Sequence, residues 1–355
     1  MNEKQTDKLE LFTKERLEEF PDFKAQQYEP LLNAIRDEKL IVFYGAGVSM
    51  LGGCASWVGL AQNIIAEMPR ILFSDLEKIV LNEMALTKAR EVISICRGRV
   101  AGNPGHEKFY FEAIRNSVKP KKEKIEDWRK AHQLLLDLNP VAFITTNIDK
   151  AIESLGAKLG SRRIINLVEN KEENFAPIAA EDTGKPNPLS APEVEISEES
   201  PASSKVCKGN IFYLHGSINR VEKAILGIDQ YIEYYYQESS AKDFLKEVFA
   251  ENYTVLFIGY GLEEYEILQN IYLAVNNTPL QSRTLHHFVL TPLYTRDIAK
   301  FNIQSNYLKM FSVCPIPYFI DHVGYSKLFE VLENLIPLAR ACRAPLDKLN
   351  EIDSV

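Results

Sequence analysis

The sequence has no apolar run near the roughly 20 residues that a bilayer-spanning helix needs. It has no Cys-x-x-Cys pair, and its five cysteines, Cys54, Cys96, Cys207, Cys314 and Cys342, stand far apart. An odd, scattered set is no disulfide framework and offers no zinc-ribbon spacing. The expectation is therefore a reducing, cytoplasmic setting and no metal. Internal repeats are absent. The first twenty residues are charged and amphipathic, with no signal-peptide core. Basic residues are in the minority, 41 Lys and Arg against 49 Asp and Glu, for a net charge of -8. That balance counts against a surface-wide nucleic-acid footprint. Neither a membrane nor a direct nucleic-acid partner is expected.

What is present is core-forming material: 46% of the 355 residues are hydrophobic, enough for one large domain or two ordinary ones. The organising stretch is LIVFYGAGVS, residues 40–49. Leu40 to Tyr44 is a short apolar run without helical period, which reads as a buried parallel strand. It ends on Gly45, Ala46, Gly47 and Ser49. Small residues at that end permit a close phosphate, and they equally permit a bare strand-to-helix turn.

Around this stretch the chain reads in blocks. Residues 1–38 form a helical extension, with a stripe of Leu9, Phe12, Leu17 and Phe20 and a second of Tyr28, Leu31, Leu32 and Ile35. In GGCASW, Gly52 and Gly53 are expected to keep a loop mobile, and Ser56 to cap a helix starting at Trp57. Residues 61–138 read as a helical insertion subdomain without motifs, in which His106 and His132 are solvated helix residues. Residues 39–60 and 139–343 are the core. Residues 169–209, rich in Pro, Ser and Glu, are a mobile insertion within it, and 344–355 a frayed tail. The expected fold is α/β, a Rossmann-like doubly wound, mostly parallel sheet with that helical insertion.

Three later strands end in polar or glycine motifs. Val141 to Thr145 runs into Thr146, Asn147 and Asp149, with a helix expected next, so Asn147 is either a helix cap or a ligand group. Ile211 to Leu214 runs into His215, Gly216 and Ser217. Thr254 to Ile258 runs into Gly259, Tyr260 and Gly261, then Glu263 and Glu264. Strands are also expected at Arg163 to Val168, His287 to Leu290 and Phe311 to Ile316. A final helix follows from His322 to about Cys342, with Leu328, Leu332, Leu335 and Ile336 as its packing stripe.

The series GAGVS, TTNID, LHGS and GYGLEE resembles the sirtuin-like superfamily, in its bacterial antiphage-defence branch. AILGIDQYIEYY and the ending FSVCPIPYFIDHVGYSKLFEVLENL add to the likeness. The resemblance implies an NAD+ glycohydrolase that releases nicotinamide and ADP-ribose and depletes NAD+ in abortive infection. It implies Asn147 and His215 as catalytic residues. It implies dinucleotide contacts from Gly45, Ala46, Gly47, Ser49, Ser56, Trp57, Thr146, Asp149, Gly259, Tyr260, Gly261 and Glu264. It also implies a homo-oligomer, a HerA-type hexameric ATPase as partner, and activity latent until triggered. The absent cysteine pairs set the chain apart from zinc-bearing protein deacylases. An NAD+ or ADP-ribose sensor without turnover is the other class, and a deacylase or ADP-ribosyltransferase a third.

Overall fold

The computed structural model describes residues 28–159, 162–168, 171–173, 209–236, 240–249, 253–262, 264–275 and 286–352. In chain order the helices and strands are α1 (Glu29–Arg36), β1 (Leu40–Tyr44), α2 (Ala46–Met50), α3 (Trp57–Glu67), α4 (Asp75–Ala101), α5 (Glu107–Ser117), α6 (Ile125–Asp137), β2 (Ala142–Thr145), β3 (Ile164–Asn166), β4 (Lys171–Glu173), β5 (Ile211–Tyr213), α7 (Ile228–Tyr236), α8 (Ser240–Val248), β6 (Thr254–Ile258), α9 (Tyr265–Val275), β7 (His287–Leu293), α10 (Ile298–Lys309), β8 (Val313–Phe319) and α11 (Lys327–Ile352). The chain divides into two compact units. One comprises Met1–Leu51, Leu134–Val141 and Leu245–Val355, and the other Gly52–Gln133 and Ala142–Phe244.

In the first unit the strands lie in the order β1, β6, β7, β8, all parallel. All five β1 residues are buried, as a strand covered on both faces requires. Phe43 packs on Phe257 with ring centroids 5.1 Å apart and on Tyr260 at 4.8 Å. The edge strand β8 carries Pro315 and Pro317, opposite Val289 and Thr291 of β7. Prolines two apart turn the same side outward, so both missing N–H groups face the open edge. The apolar stripe of α11 is buried, with Leu328 at 2% exposure and Leu332 and Leu335 at 0%. Leu31, Ala34 and Ile35 bury the inner face of α1. Helix α11 continues to Ile352, where the sequence suggested a frayed tail. The stripe from Leu9 to Phe20 lies outside the described residues.

In the second unit the order is β4, β3, β5, β2. β3, β5 and β2 are parallel, and β4 is an antiparallel edge. Seven strands are thus parallel to their neighbours, the Rossmann-like α/β architecture that the periodicity implied. β4 falls at the start of the stretch 169–209 read as a loop; most of the rest of it lies outside the described residues. The helices α3 to α5 bury a core of Leu60, Ile64, Ile65, Val92, Ile93, Cys96 and Ile114. Ser56 caps α3 by accepting from the Gly59 amide at 3.2 Å. A capping box starts α4: the Ser74 hydroxyl accepts from the Glu77 amide, and the Glu77 carboxylate accepts from the Ser74 amide at 2.7 Å.

Two expectations need correction here. The GGCASW segment is pinned by its surroundings. The Gly52 carbonyl accepts from the Lys121 amide at 2.9 Å, and the Ala55 amide donates to the Ser117 carbonyl at 2.8 Å. A Cβ on Gly52 would lie 2.5 Å from that of Trp128, so this glycine answers to a close approach and not to mobility. His132 is not solvated; it is fully buried on α6, its Nδ1–H donating to the Trp128 carbonyl at 2.8 Å.

Candidate functional site

In the second unit, β2 and β5 pair in parallel with Thr145 opposite Tyr213, so the segments that follow leave side by side. The Leu214 amide donates to the Thr145 carbonyl at 2.8 Å, and the Ile218 amide to the Ile148 carbonyl at 2.7 Å. These bonds lace the Asn147 and His215 segments together at the carboxyl ends of two neighbouring strands. Open α/β sheets bind ligands at such ends. Thr146, Asn147 and Asp149 are 8%, 8% and 6% exposed, and His215 is 0% exposed. Four polar side chains withdrawn from water in one place is an unusual concentration for a core.

No α-helix follows TTNID. The chain turns and enters a kinked 3-10 segment, Glu153–Leu159, so Asn147 caps no α-helix. Its amide instead donates to Thr145 Oγ1 at 3.0 Å, and Asp149 Oδ1 accepts from the Ala151 amide at 3.0 Å. Tyr213 Oη donates to the Asp149 carbonyl at 3.2 Å and lies 2.5 Å from Glu153 Oε2. The segment is therefore shaped by side-chain and backbone bonds of its own rather than by a helix terminus.

His215 sits against α7. Its Nε2 lies 2.8 Å from Tyr235 Oη and its Nδ1 3.1 Å from Tyr231 Oη. Its basicity is pushed down to about 3, first by burial and then by the positive charge of Arg90, against a bond to the Thr146 backbone. The imidazole is neutral across the physiological range. Trp57 packs edge-on to Tyr231 at 6.5 Å. Ser56 serves as the α3 cap. Nearby, Cys54 packs with Trp128 and Ala151. Burial, then the Asp149 charge, pushes its thiol up to about 12, which favours the protonated form.

Sequence reasoning missed Arg90, Tyr231 and Tyr235. The tyrosines carried a faint signal, four residues apart within the quoted AILGIDQYIEYY. Arg90 carried none, because it lies in a helix read only for its apolar pieces.

In the first unit the two glycine corners pack on each other. The Gly45 amide donates to the Ile258 carbonyl at 3.0 Å and the Gly47 amide to the Gly259 carbonyl at 2.8 Å. A Cβ on Gly47 would come within 2.8 Å of the Gly259 backbone, and Gly259 itself has φ +61°. Backbone-to-backbone packing alone thus accounts for these glycines. Ala46 is half-buried and Ser49 buried on the short α2, while Gly261 is exposed and Glu264 buried at 4% exposure. Gly47→Ala is expected to cost about 2 kcal/mol through overpacking. A lowered urea midpoint in ligand-free protein checks this. An unchanged midpoint would leave ligand contact as the reason for the glycine.

Among the described residues no cluster of three or more His, Cys, Asp or Glu is placed to hold a metal ion, and no helix is long and apolar enough to cross a membrane. Compared with known proteins, residues 141–315 match the SIR2-like domain family. That span holds TTNID, LHGS and GYGLEE but not GAGVS. The chain is 24% identical over 298 residues to Defense-associated sirtuin 2 of Bacillus subtilis, covering 78% of this chain and 25% of the relative. It therefore spans about a quarter of the length of the curated relative it matches.

Proposed function

We propose, from the premise that this chain is sirtuin-like, that it hydrolyses the nicotinamide–ribose bond of NAD+ and serves bacterial antiphage defence. SIR2-like domains bind NAD+. The observation that carries the reading is the lacing of Asn147 and His215 at neighbouring strand ends, within the family match. Breaking this bond builds positive charge on the ribose, and nicotinamide leaves as a neutral group that needs no acid. The protein then has to supply position, charge stabilisation and a placed water. Asn147 brings a carbonyl oxygen for the developing cation or the water, and an amide for a ribose hydroxyl. A neutral His215 brings a nitrogen lone pair for a hydroxyl hydrogen bond. Asp149, braced by Ala151, suits the carboxamide. By the resemblance, Gly45, Ala46, Gly47 and Ser49 take the phosphates, an assignment that Gly47→Ala examines separately. Depletion of NAD+, assembly into a homo-oligomer and pairing with a HerA-type ATPase belong to the same proposal.

The experiment is nicotinamide release from NAD+ by the purified chain between pH 6 and 8. Turnover with no limb near pH 6.5 is the expected result, since His215 is already neutral throughout. A limb there would assign an unperturbed histidine to the chemistry and displace His215. A second reading has one observation in its favour: both His215 nitrogens already have phenol partners. It makes the chain an NAD+ or ADP-ribose sensor, and calorimetric binding without any nicotinamide release would select it.

A further inference from the structure

A cavity of about 190 Å³ lies in the second unit, and none of the residues given a part in the NAD+ reading lines it. It forms where the end of α4 and the start of α5 meet the 3-10 segment Ile218–Lys223 and the chain leading into α7. Val100, Val221 and Leu226 give it apolar walls, at 3%, 2% and 4% exposure, and Phe111 adds a partly buried ring. Walls this buried are set by the fold before a ligand arrives. The loop wall is fixed by Gln230: its Oε1 accepts from the Leu226 and Gly227 amides at 3.2 Å and 3.0 Å, and its Nε2 donates to the Ala224 carbonyl at 2.8 Å. An apolar cavity of about 150 Å³ takes one benzene ring. This one has room for a single six-membered ring and one small substituent.

Its polar groups are not used up by the protein. Tyr110 lines the cavity at 3% exposure, and its hydroxyl makes no hydrogen bond to any described residue. A buried hydroxyl left in that state is costly. Burial comes first in raising the Tyr110 pKa; the Arg97 charge lowers it, and the Cys96 and Asp229 charges raise it. The hydroxyl is thus within electrostatic reach of the Arg97–Asp229 pair. Arg97, also lining the cavity, gives Nη1 to Asp229 Oδ2, and Asp229 Oδ1 accepts from Ser94 Oγ at 2.7 Å. The guanidinium is so oriented, while its Nε and Nη2 donate to no described residue. Glu107 accepts from the Gly105 amide through Oε2 at 2.7 Å, and its Oε1 accepts from no described residue. The cavity therefore offers N–H and O–H donors together with a carboxylate acceptor. Its charge discriminates as well. Asp229 offsets Arg97, and Glu107 and the exposed Glu222 remain to repel a carboxylate ligand.

We propose that this cavity is a binding site for a neutral, single-ring aromatic carboxamide. The carbonyl oxygen takes the Arg97 and Tyr110 donors, the amide N–H₂ goes to Glu107, and the ring packs on the apolar walls. The site does not depend on the NAD+ reading, although the nicotinamide released in that reaction belongs to the same ligand class.

Benzamide is the probe, added to the full chain and followed by saturation-transfer NMR. Saturable binding is expected. Tyr110→Phe is expected to weaken it about fivefold and Arg97→Gln about tenfold or more. Ala101→Phe fills the cavity from an exposed lining position and is expected to abolish binding with an unchanged circular dichroism spectrum. Benzoate and toluene are expected to bind about tenfold more weakly than benzamide or worse. Absence of saturable benzamide binding overturns the proposal. So does binding that all three variants retain in full, which would place the ligand elsewhere, and so does benzoate or toluene binding as tightly as benzamide. None of these outcomes depends on turnover of NAD+, so failure of that reading and failure of this one are seen separately.

Discussion

Asn147→Ala is expected to reduce nicotinamide release by about 10²- to 10⁴-fold, or roughly 3–5 kcal/mol of transition-state stabilisation. The side chain faces a buried strand end, and no positive group is needed there if the amide oxygen meets the ribose cation. Removing it takes that dipole away from the developing charge at a buried strand end. The fold should survive. The bond that shapes the segment runs from the Asn147 backbone amide to Thr145 Oγ1 and does not involve the lost side chain. Single-turnover assays at saturating NAD+, with circular dichroism as the folding control, separate the two effects. A folded variant with wild-type turnover would remove Asn147 from the chemistry.

Acidification to pH 5 is expected to remove about 4 kcal/mol of stability, a large share of the 5–15 kcal/mol that holds typical domains together. Two histidines drive it. His215 and His287 are 0% and 1% exposed, and burial pushes both down to about 3. Arg90 adds to the effect at His215, and His286 at His287. His287 Nδ1 accepts from the Val255 amide at 3.2 Å, a bond that needs the neutral ring. The sign follows from proton counting. Above about pH 7.5 both rings are neutral folded or unfolded. Below the unfolded value near 6.5, the unfolded chain takes up protons that the native one refuses, so stability falls with pH. At pH 5 each ring accounts for about 2 kcal/mol. His132, also lowered by burial, acts in the same direction. Urea midpoints at pH 7.5 and pH 5 check this, and His215→Gln should remove about half of the difference. Carboxylates titrate mostly below this window, so a midpoint that does not move would mean the rings are not buried neutral.

How much of this was legible in the residues varied with the range of the signal. The bounds Leu40–Tyr44 and Thr254–Ile258 were readable because an unbroken apolar run meets a glycine, and both causes lie within ten residues. β4 escaped notice because three charged residues, Lys171–Glu173, carry no apolar period; a neighbouring strand orders them through backbone bonds. β7 and β8 run further than expected, through Pro292 and Pro317. A proline warns against a strand only until it is known which of its sides faces a partner. Pro292 lies beyond the last residue that β6 pairs, Val289.

The site divides the same way. That Asn147 and His215 end buried strands was readable from the residues alone, since composition and spacing act locally along the chain. The small residues at Gly45, Gly47 and Gly259 pointed to corners that permit a close approach, of a phosphate or of the chain's own turn. It took the folded chain to show that what approaches Gly47 is the other corner's backbone. Folding also set Arg90, Tyr231 and Tyr235 around His215 and buried its ring, and burial with the Arg90 charge lowers its basicity. The physical reason is that burial and charge act through space, and the groups responsible stand 125, 16 and 20 positions away along the chain.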